Sequence, residues 1–250
     1  MRSRYPTASN FSYSFGPGPL TPAIKALIAL NVVAFVLTWF VGQRMTMLLG
    51  LQPMAIVRDL HLWQPLTYMF LHAGITHILF NMLALWMFGV ELERMWGTQF
   101  FLKYYFVAGV GAAATTIVLS FLPGTFGQQL YYSLTVGASG AIYGVLLAYA
   151  MYFPNRPIYM YLFFPIPAKY FVMIIGGISL LSSMSGPGGG IAHTTHLGGL
   201  LAGYLYLKGA RMHLISEIQY RYLKWRINRA RRRFDVYSGG RADDVDRRVH

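Results

Sequence analysis

Gly137-Ala138-Ser139-Gly140-Ala141-Ile142-Tyr143-Gly144 lies inside residues 134–153, a run with no charged residue. About twenty apolar residues, rising about 1.5 Å each, match a hydrocarbon core of roughly 30 Å, so the run reads as a membrane-crossing helix. Small residues in such a helix let a neighbour approach closely, which accounts for the glycines. It does not account for a second histidine-and-glycine element, His196-Leu197-Gly198-Gly199, in the last apolar run, or for His77 and Asn81 on one face of an earlier one. A serine, a histidine and amide donors at similar membrane depth are the parts of a serine hydrolase.

Composition sets the class. The chain has 250 residues, 55% hydrophobic and 12% charged, with a mean hydropathy of +0.43. A soluble domain carries about 25% charged residues, so these figures indicate an all-α polytopic membrane protein. Without cysteine, disulfides, a thiolate nucleophile and a thiolate metal site are excluded. The net charge of +13 is concentrated late: 12 of the 21 basic residues lie from Lys208 onward, with 5 of the 8 acidic ones. A basic excess past the last apolar run fits the positive-inside rule and anionic headgroups. No nucleic-acid-binding fold accompanies it, so nucleic acid is not an expected partner.

Residues 1–20 read as a polar, flexible cytoplasmic leader. Six spans are expected at 22–41, 74–90, 100–122, 134–153, 168–184 and 191–207, making one membrane domain over 21–209. Between the first two, residues 42–73 contain two apolar stretches too short to cross, which suits a structure lying in the interface. Residues 124–129 read as a polar link, 158–167 as an interfacial approach broken by Pro165 and Pro167, and 186–190 as a mobile loop. Residues 210–250 form a basic tail, amphipathic at near-helical spacing over 214–234. Six spans put both termini on one side, and the basic tail makes that side the cytoplasm. His77, Asn81, Ser139 and His196 then all lie near the outer ends of their helices.

Ser139 needs a base, and no acidic residue occurs between Arg94 and Glu217. That argues against a Ser-His-Asp triad and for a dyad, given the cost of a carboxylate in lipid. Tyr143, one turn below Ser139, has a ring placed to stack on the histidine. Gly199 and Gly203 share a face with His196, and Gly140 and Gly144 form a matching stripe with Ser139. His77 and Asn81, at i and i+4, read either as donors to an oxyanion or as hydrogen bonds between helices. His72, His77, His193 and His196 could surround zinc, but no H-E-x-x-H element or carboxylate partner accompanies them, so no metal or cofactor is expected. Spacing cannot choose the base between His193 and His196. Depth can: His196 lies about 4.5 Å further along its helix, level with a Ser139 that has 134–138 above it.

These motifs resemble the rhomboid intramembrane serine proteases over residues 26–207. The resemblance rests on Gly137-Ala138-Ser139-Gly140 with Tyr143, on His77-Ile78-Leu79-Phe80-Asn81, and on Ala192-His193-Thr194-Thr195-His196-Leu197-Gly198-Gly199 with Gly203. It implies a six-helix rhomboid bundle, Ser139 as nucleophile, and His196 as general base and acid. It also implies an oxyanion hole of His77, Asn81 and the Ser139 N–H. His72 matches a family histidine, and Glu93 and Gly97 match a structural glutamate and glycine. Where the family often has Trp-Arg, this chain has Trp63-Gln64, which offers fewer donors and no charge. The implied activity is cleavage of membrane proteins in or near their transmembrane segments, in a bacterial inner membrane with the site opening outward. Membrane lipids are the other implied partners, and the oligomeric state stays open. The alternative from another class is a rhomboid-like non-protease that escorts or retains membrane proteins, and such relatives usually lose the serine or the histidine.

Overall fold

The computed structural model describes residues 16–160, 164–184, 190–211, 223–226 and 229. Helix α1 is Pro22–Val41, opened by a proline in its first turn and closed at Gly42. Three short helices follow, α2 (Gln43–Leu49), α3 (Pro53–Asp59) and α4 (Gln64–Thr67), the last running into a 3₁₀ turn, Tyr68–Phe70. None is long enough to cross a bilayer. Helix α5 (Ile75–Ala84) continues through a π-helical turn, Leu85–Gly89, into α6 (Val90–Trp96). Then come α7 (Thr98–Leu119), α8 (Thr125–Tyr132), α9 (Ser139–Tyr152), the strands β1 (Pro157–Met160) and β2 (Phe164–Pro167), α10 (Ala168–Met184) and α11 (Gly190–Arg211). By length and composition Pro22–Val41, Ile75–Trp96 and Thr98–Leu119 are each able to cross a membrane, whereas α9 and α10 are shorter apolar helices.

Four expectations change. The second apolar helix runs on to Trp96, so Glu91 and Glu93 belong to it instead of following it. The link after residue 124 is largely the helix α8. Residues 158–160 and 164–167 fall in two antiparallel paired strands with Pro157 opposite Pro167, whose extended prolines cannot continue a helix. Helix α9 has 14 residues and begins at Ser139, so it is about 21 Å long and has no helical turn above the serine. Residues 134–138 are instead a non-helical approach that bends at Gly137, and in it Thr135 and Leu51 exchange backbone hydrogen bonds of 2.8 and 2.9 Å. The loop at 186–190 lies outside the described residues except for Gly190. The tail is described only at residues 210–211, 223–226 and 229, all helical.

The core lies where α7 meets α9. Phe101, Tyr104, Tyr105, Ala108, Ala112 and Ala113 recur at three- and four-residue spacing along one face of α7 and are fully buried. The aromatics occupy the first half of this face and the alanines the second, and Ala108 and Ala112 let the α9 backbone come close at Gly144 and Gly140. Two phenols are satisfied at depth, Tyr104 donating to Gly144 O at 2.6 Å and Tyr68 to Gly109 O at 2.8 Å, whereas the Tyr105 hydroxyl has no hydrogen-bond partner among the described residues. A buried phenol without an acceptor would cost about 1–3 kcal/mol.

The segment between α1 and α5 is stapled by side chains to three consecutive carbonyls. Gln64 is fully buried, with Nε2 donating to Met47 O and Leu48 O and Oε1 accepting from Gln52 N at 3.0 Å. Trp63 Nε1 donates to Leu48 O at 2.8 Å, and Thr67 Oγ1 to Leu49 O at 2.6 Å. A neutral amide thus anchors the segment where the family resemblance suggests a guanidinium.

The opposite end is tied by one carboxylate. Glu93 accepts from Ala23 N at 2.9 Å, Ile24 N at 3.1 Å, Thr98 Oγ1 at 2.7 Å and Thr21 Oγ1. It thereby caps the first turn of α1 and holds the start of α7, where helix N-termini leave donors unsatisfied and favour negative charge. Residues 16–20, read from sequence as the last part of the leader, lie beside it. Trp86 Nε1 donates to Gly18 O at 3.1 Å, and the Arg94 guanidinium to Pro17 O and Pro19 O.

Candidate active site

Ser139 is the first residue of α9, so its backbone N–H is among the donors that the helix itself leaves unsatisfied. The approach into this position is fixed from both sides. Gly137 N donates to Tyr68 O at 2.9 Å, and Gly137 has φ +126°, a conformation that a residue with a Cβ rarely takes. The space that a Cβ would fill lies 2.8 Å from His77 Cε1 and Nε2 and 3.7 Å from Ser139 Oγ. Glycine therefore lets the His77 ring edge face the serine.

His196 reaches Ser139 from α11. Its Nε2 lies 2.8 Å from Ser139 Oγ, which donates to it when the imidazole proton sits on Nδ1. That Nδ1 is buried and has no hydrogen-bond partner among the described residues. The ring is held by a flat contact instead: Tyr143 stacks on it with centroids 4.2 Å apart and planes 9° from parallel.

The two helices meet through glycine. A Cβ at Gly199 would overlap the carbonyl oxygen of Gly140, and one at Gly203 would lie 3.2 Å from Gly144 Cα. Gly199→Ala should therefore part α9 from α11, costing about 1–3 kcal/mol of stability as an overpacked contact. Thermal unfolding in detergent measures this, and an unchanged midpoint would show that the contact is not tight. Beside the glycines, Thr116 and Thr195 hydroxyls bond at 2.8 Å, tying α7 to α11 one residue from His196.

His77, in the first turn of α5, accepts a long hydrogen bond from Ala73 N on Nδ1 (3.4 Å), which leaves the proton on Nε2, the edge facing Gly137. Asn81 Nδ2 donates to His77 O at 2.8 Å, a bond within its own helix, so the amide keeps a second hydrogen. His72 is buried edge-on to His77 at 5.0 Å, and neither of its ring nitrogens has a partner among the described residues. His193 is half-buried and sits edge-on to His196 at 5.7 Å. No cluster of metal-ligating residues occurs among the described residues.

His77, Asn81, Ser139, Tyr143 and His196 share a cavity of about 560 Å³ whose remaining walls include Phe80, Ala84, Leu146, Phe171 and Ile175. Polar groups crowd one end, and the rest is apolar, from α5, α9 and α10. Sequence reasoning did not single out Thr116, Thr195 or Ser179 of α10. The only available signal was a hydroxyl in an otherwise apolar run.

A rhomboid domain model matches residues 59–211. Rhomboid protease GluP of Bacillus subtilis is 35% identical over 144 residues, covering 57% of this chain and 25% of GluP. Rhomboid protease AarA of Providencia stuartii is 29% identical over 157 residues, 57% of this chain and 54% of AarA. Rhomboid protein 1, mitochondrial, of Saccharomyces cerevisiae is 29% identical over 138 residues, 55% of this chain and 38% of that protein. The chain thus spans about a quarter to a half of the length of these relatives. With more than half of its residues matched, and with apolar helices long enough to cross a bilayer, this integral membrane protein belongs to the rhomboid family.

Proposed function

We propose that the protein is an intramembrane serine endopeptidase that cleaves membrane proteins in or near their transmembrane segments. The observation that carries this reading is the 2.8 Å contact between Ser139 Oγ and His196 Nε2 at the polar end of an apolar-walled cavity. In the proposed reaction His196 Nε2 takes the hydroxyl proton as Ser139 Oγ attacks the scissile carbonyl. The Ser139 N–H, the free hydrogen of Asn81 Nδ2 and His77 Nε2–H receive the oxyanion. His196 then protonates the departing amine, and water, activated by the same imidazole, releases the acyl group. Tyr143 keeps the imidazole in plane, a task that a carboxylate performs in a triad. The apolar walls suit a substrate segment arriving from lipid.

In this reading α1, α5 with α6, α7, α9, α10 and α11 are the six spans of a membrane domain over 21–209. The leader (1–20) and the basic tail (210–250) lie in the cytoplasm, and the site opens to the outer side of a bacterial inner membrane. A serine-reactive fluorophosphonate tests the chemistry: it should label the wild-type protein and leave Ser139→Ala unlabelled. An unlabelled wild-type protein would favour the binding and escort function of a non-protease. Asn81→Ala should lower turnover by up to about 10²- to 10³-fold per folded molecule if its amide meets the oxyanion. Lower thermal stability with normal turnover would make Asn81 a structural residue only.

A further inference from the structure

Phe171, Ile175 and Ser179 follow one another at i, i+4 and i+8, so they share one face of α10. The first two line the cavity, and the third is fully buried at the end of the same stripe. Its hydroxyl donates to the Tyr143 phenol oxygen at 3.1 Å. That phenol belongs to the ring stacked on His196, so an unbroken series of contacts runs from Ser179 through Tyr143 and His196 to Ser139. The imidazole has no hydrogen-bonded orienter on Nδ1 among the described residues, which leaves the Tyr143 ring as its visible restraint.

We propose that Ser179 is a positioning residue that couples the seating of α10 to the orientation of the catalytic base. This rests on the protease reading above. While α10 is seated, its hydroxyl fixes where the Tyr143 ring lies and therefore where His196 Nε2 points. When the far half of α10 moves away, the ring loses that tether and the base loses its alignment. The helix is built for such movement. Gly176 and Gly177 lie between Ile175 and Ser179, no atom lies within 4 Å of where a Cβ on Gly177 would sit, and glycine weakens a helix interior. Met173, Ile174, Ile178 and Leu180 are exposed, so one face of α10 lacks protein packing.

The test uses the full-length protein in detergent or liposomes with a transmembrane reporter. Ser179→Ala should lower kcat about three- to tenfold, the span of one net hydrogen bond, with KM within about twofold of wild type. Ser179→Thr, which keeps the hydroxyl, should retain at least about half of wild-type kcat by the same measure. Tyr143→Phe, which keeps the ring and removes the acceptor, should match Ser179→Ala, and the double variant should be no slower than either single one. A folded Ser179→Ala protein with wild-type kcat overturns the proposal, as does a double variant whose loss is the product of the single losses. If Ser179→Ala does not fold, Tyr143→Phe decides: wild-type kcat overturns the coupling, and a matching loss with Ser179→Thr active supports it. A reporter cleaved equally well by Ser139→Ala would instead remove the protease reading itself.

Discussion

Ser139→Ala abolishes cleavage of a transmembrane reporter while the protein inserts and folds as before. The hydroxyl makes its contact with His196 Nε2, and Ser139 occupies the first position of α9, where alanine is well tolerated. Neither the glycine contact between α9 and α11 nor the Tyr143 stack involves that oxygen. Activity and stability should therefore separate cleanly. Covalent catalysis loses its nucleophile outright, so residual turnover above about one thousandth of wild type would argue against Ser139. Far-UV circular dichroism and the unfolding midpoint of the same preparation supply the control.

His196→Ala should eliminate cleavage to a similar extent, and His193→Ala should retain at least about a tenth of it. The two residues lie on one helix with rings 5.7 Å apart, so either removal perturbs the same neighbourhood. Only His196 pairs hydrogen-bonding contact with Ser139 and a flat stack on Tyr143. An enclosed Nδ1 on His193 gives its alanine variant a packing cost, and that cost should appear in the unfolding midpoint. Inactive His193→Ala beside active His196→Ala, both correctly inserted, would reverse the assignment.

The parts of this fold that were legible in the sequence are those in which local chemistry decides. Pro22 and Gly42 bracket α1, and α10 follows directly on Pro167, so these helices can be read to the residue. The glycine spacing also announced the approach of α9 to α11, since Gly199 faces Gly140. The start of α9 was not legible, because residues 134–153 are apolar throughout and hydropathy does not distinguish helix from extended chain. What delays the start of the helix to Ser139 is a positive φ at Gly137 and a pairing of Thr135 with Leu51, distant in sequence. Gln64 seemed a loss of donors beside an arginine. The structure shows carbonyls close enough for one amide to serve them, a matter of backbone geometry that residue type does not encode. Ser179 was indistinguishable from the other serines of its run until a phenol was found beside it.

The Glu93 cap has a consequence for biogenesis. Its acceptors serve Ala23 and Ile24, about seventy positions earlier in the chain. A ribosome adding about 5–20 residues per second takes roughly 4–14 seconds to make that interval. For all that time the first apolar helix has bare amide donors at its start, satisfied by water or headgroups. It can settle into its final place only after the turn at Gly97 has been synthesised and the carboxylate has come to meet it. Assembly at this end is therefore ordered by translation, with the start of the first helix left uncapped until the second apolar helix has been made.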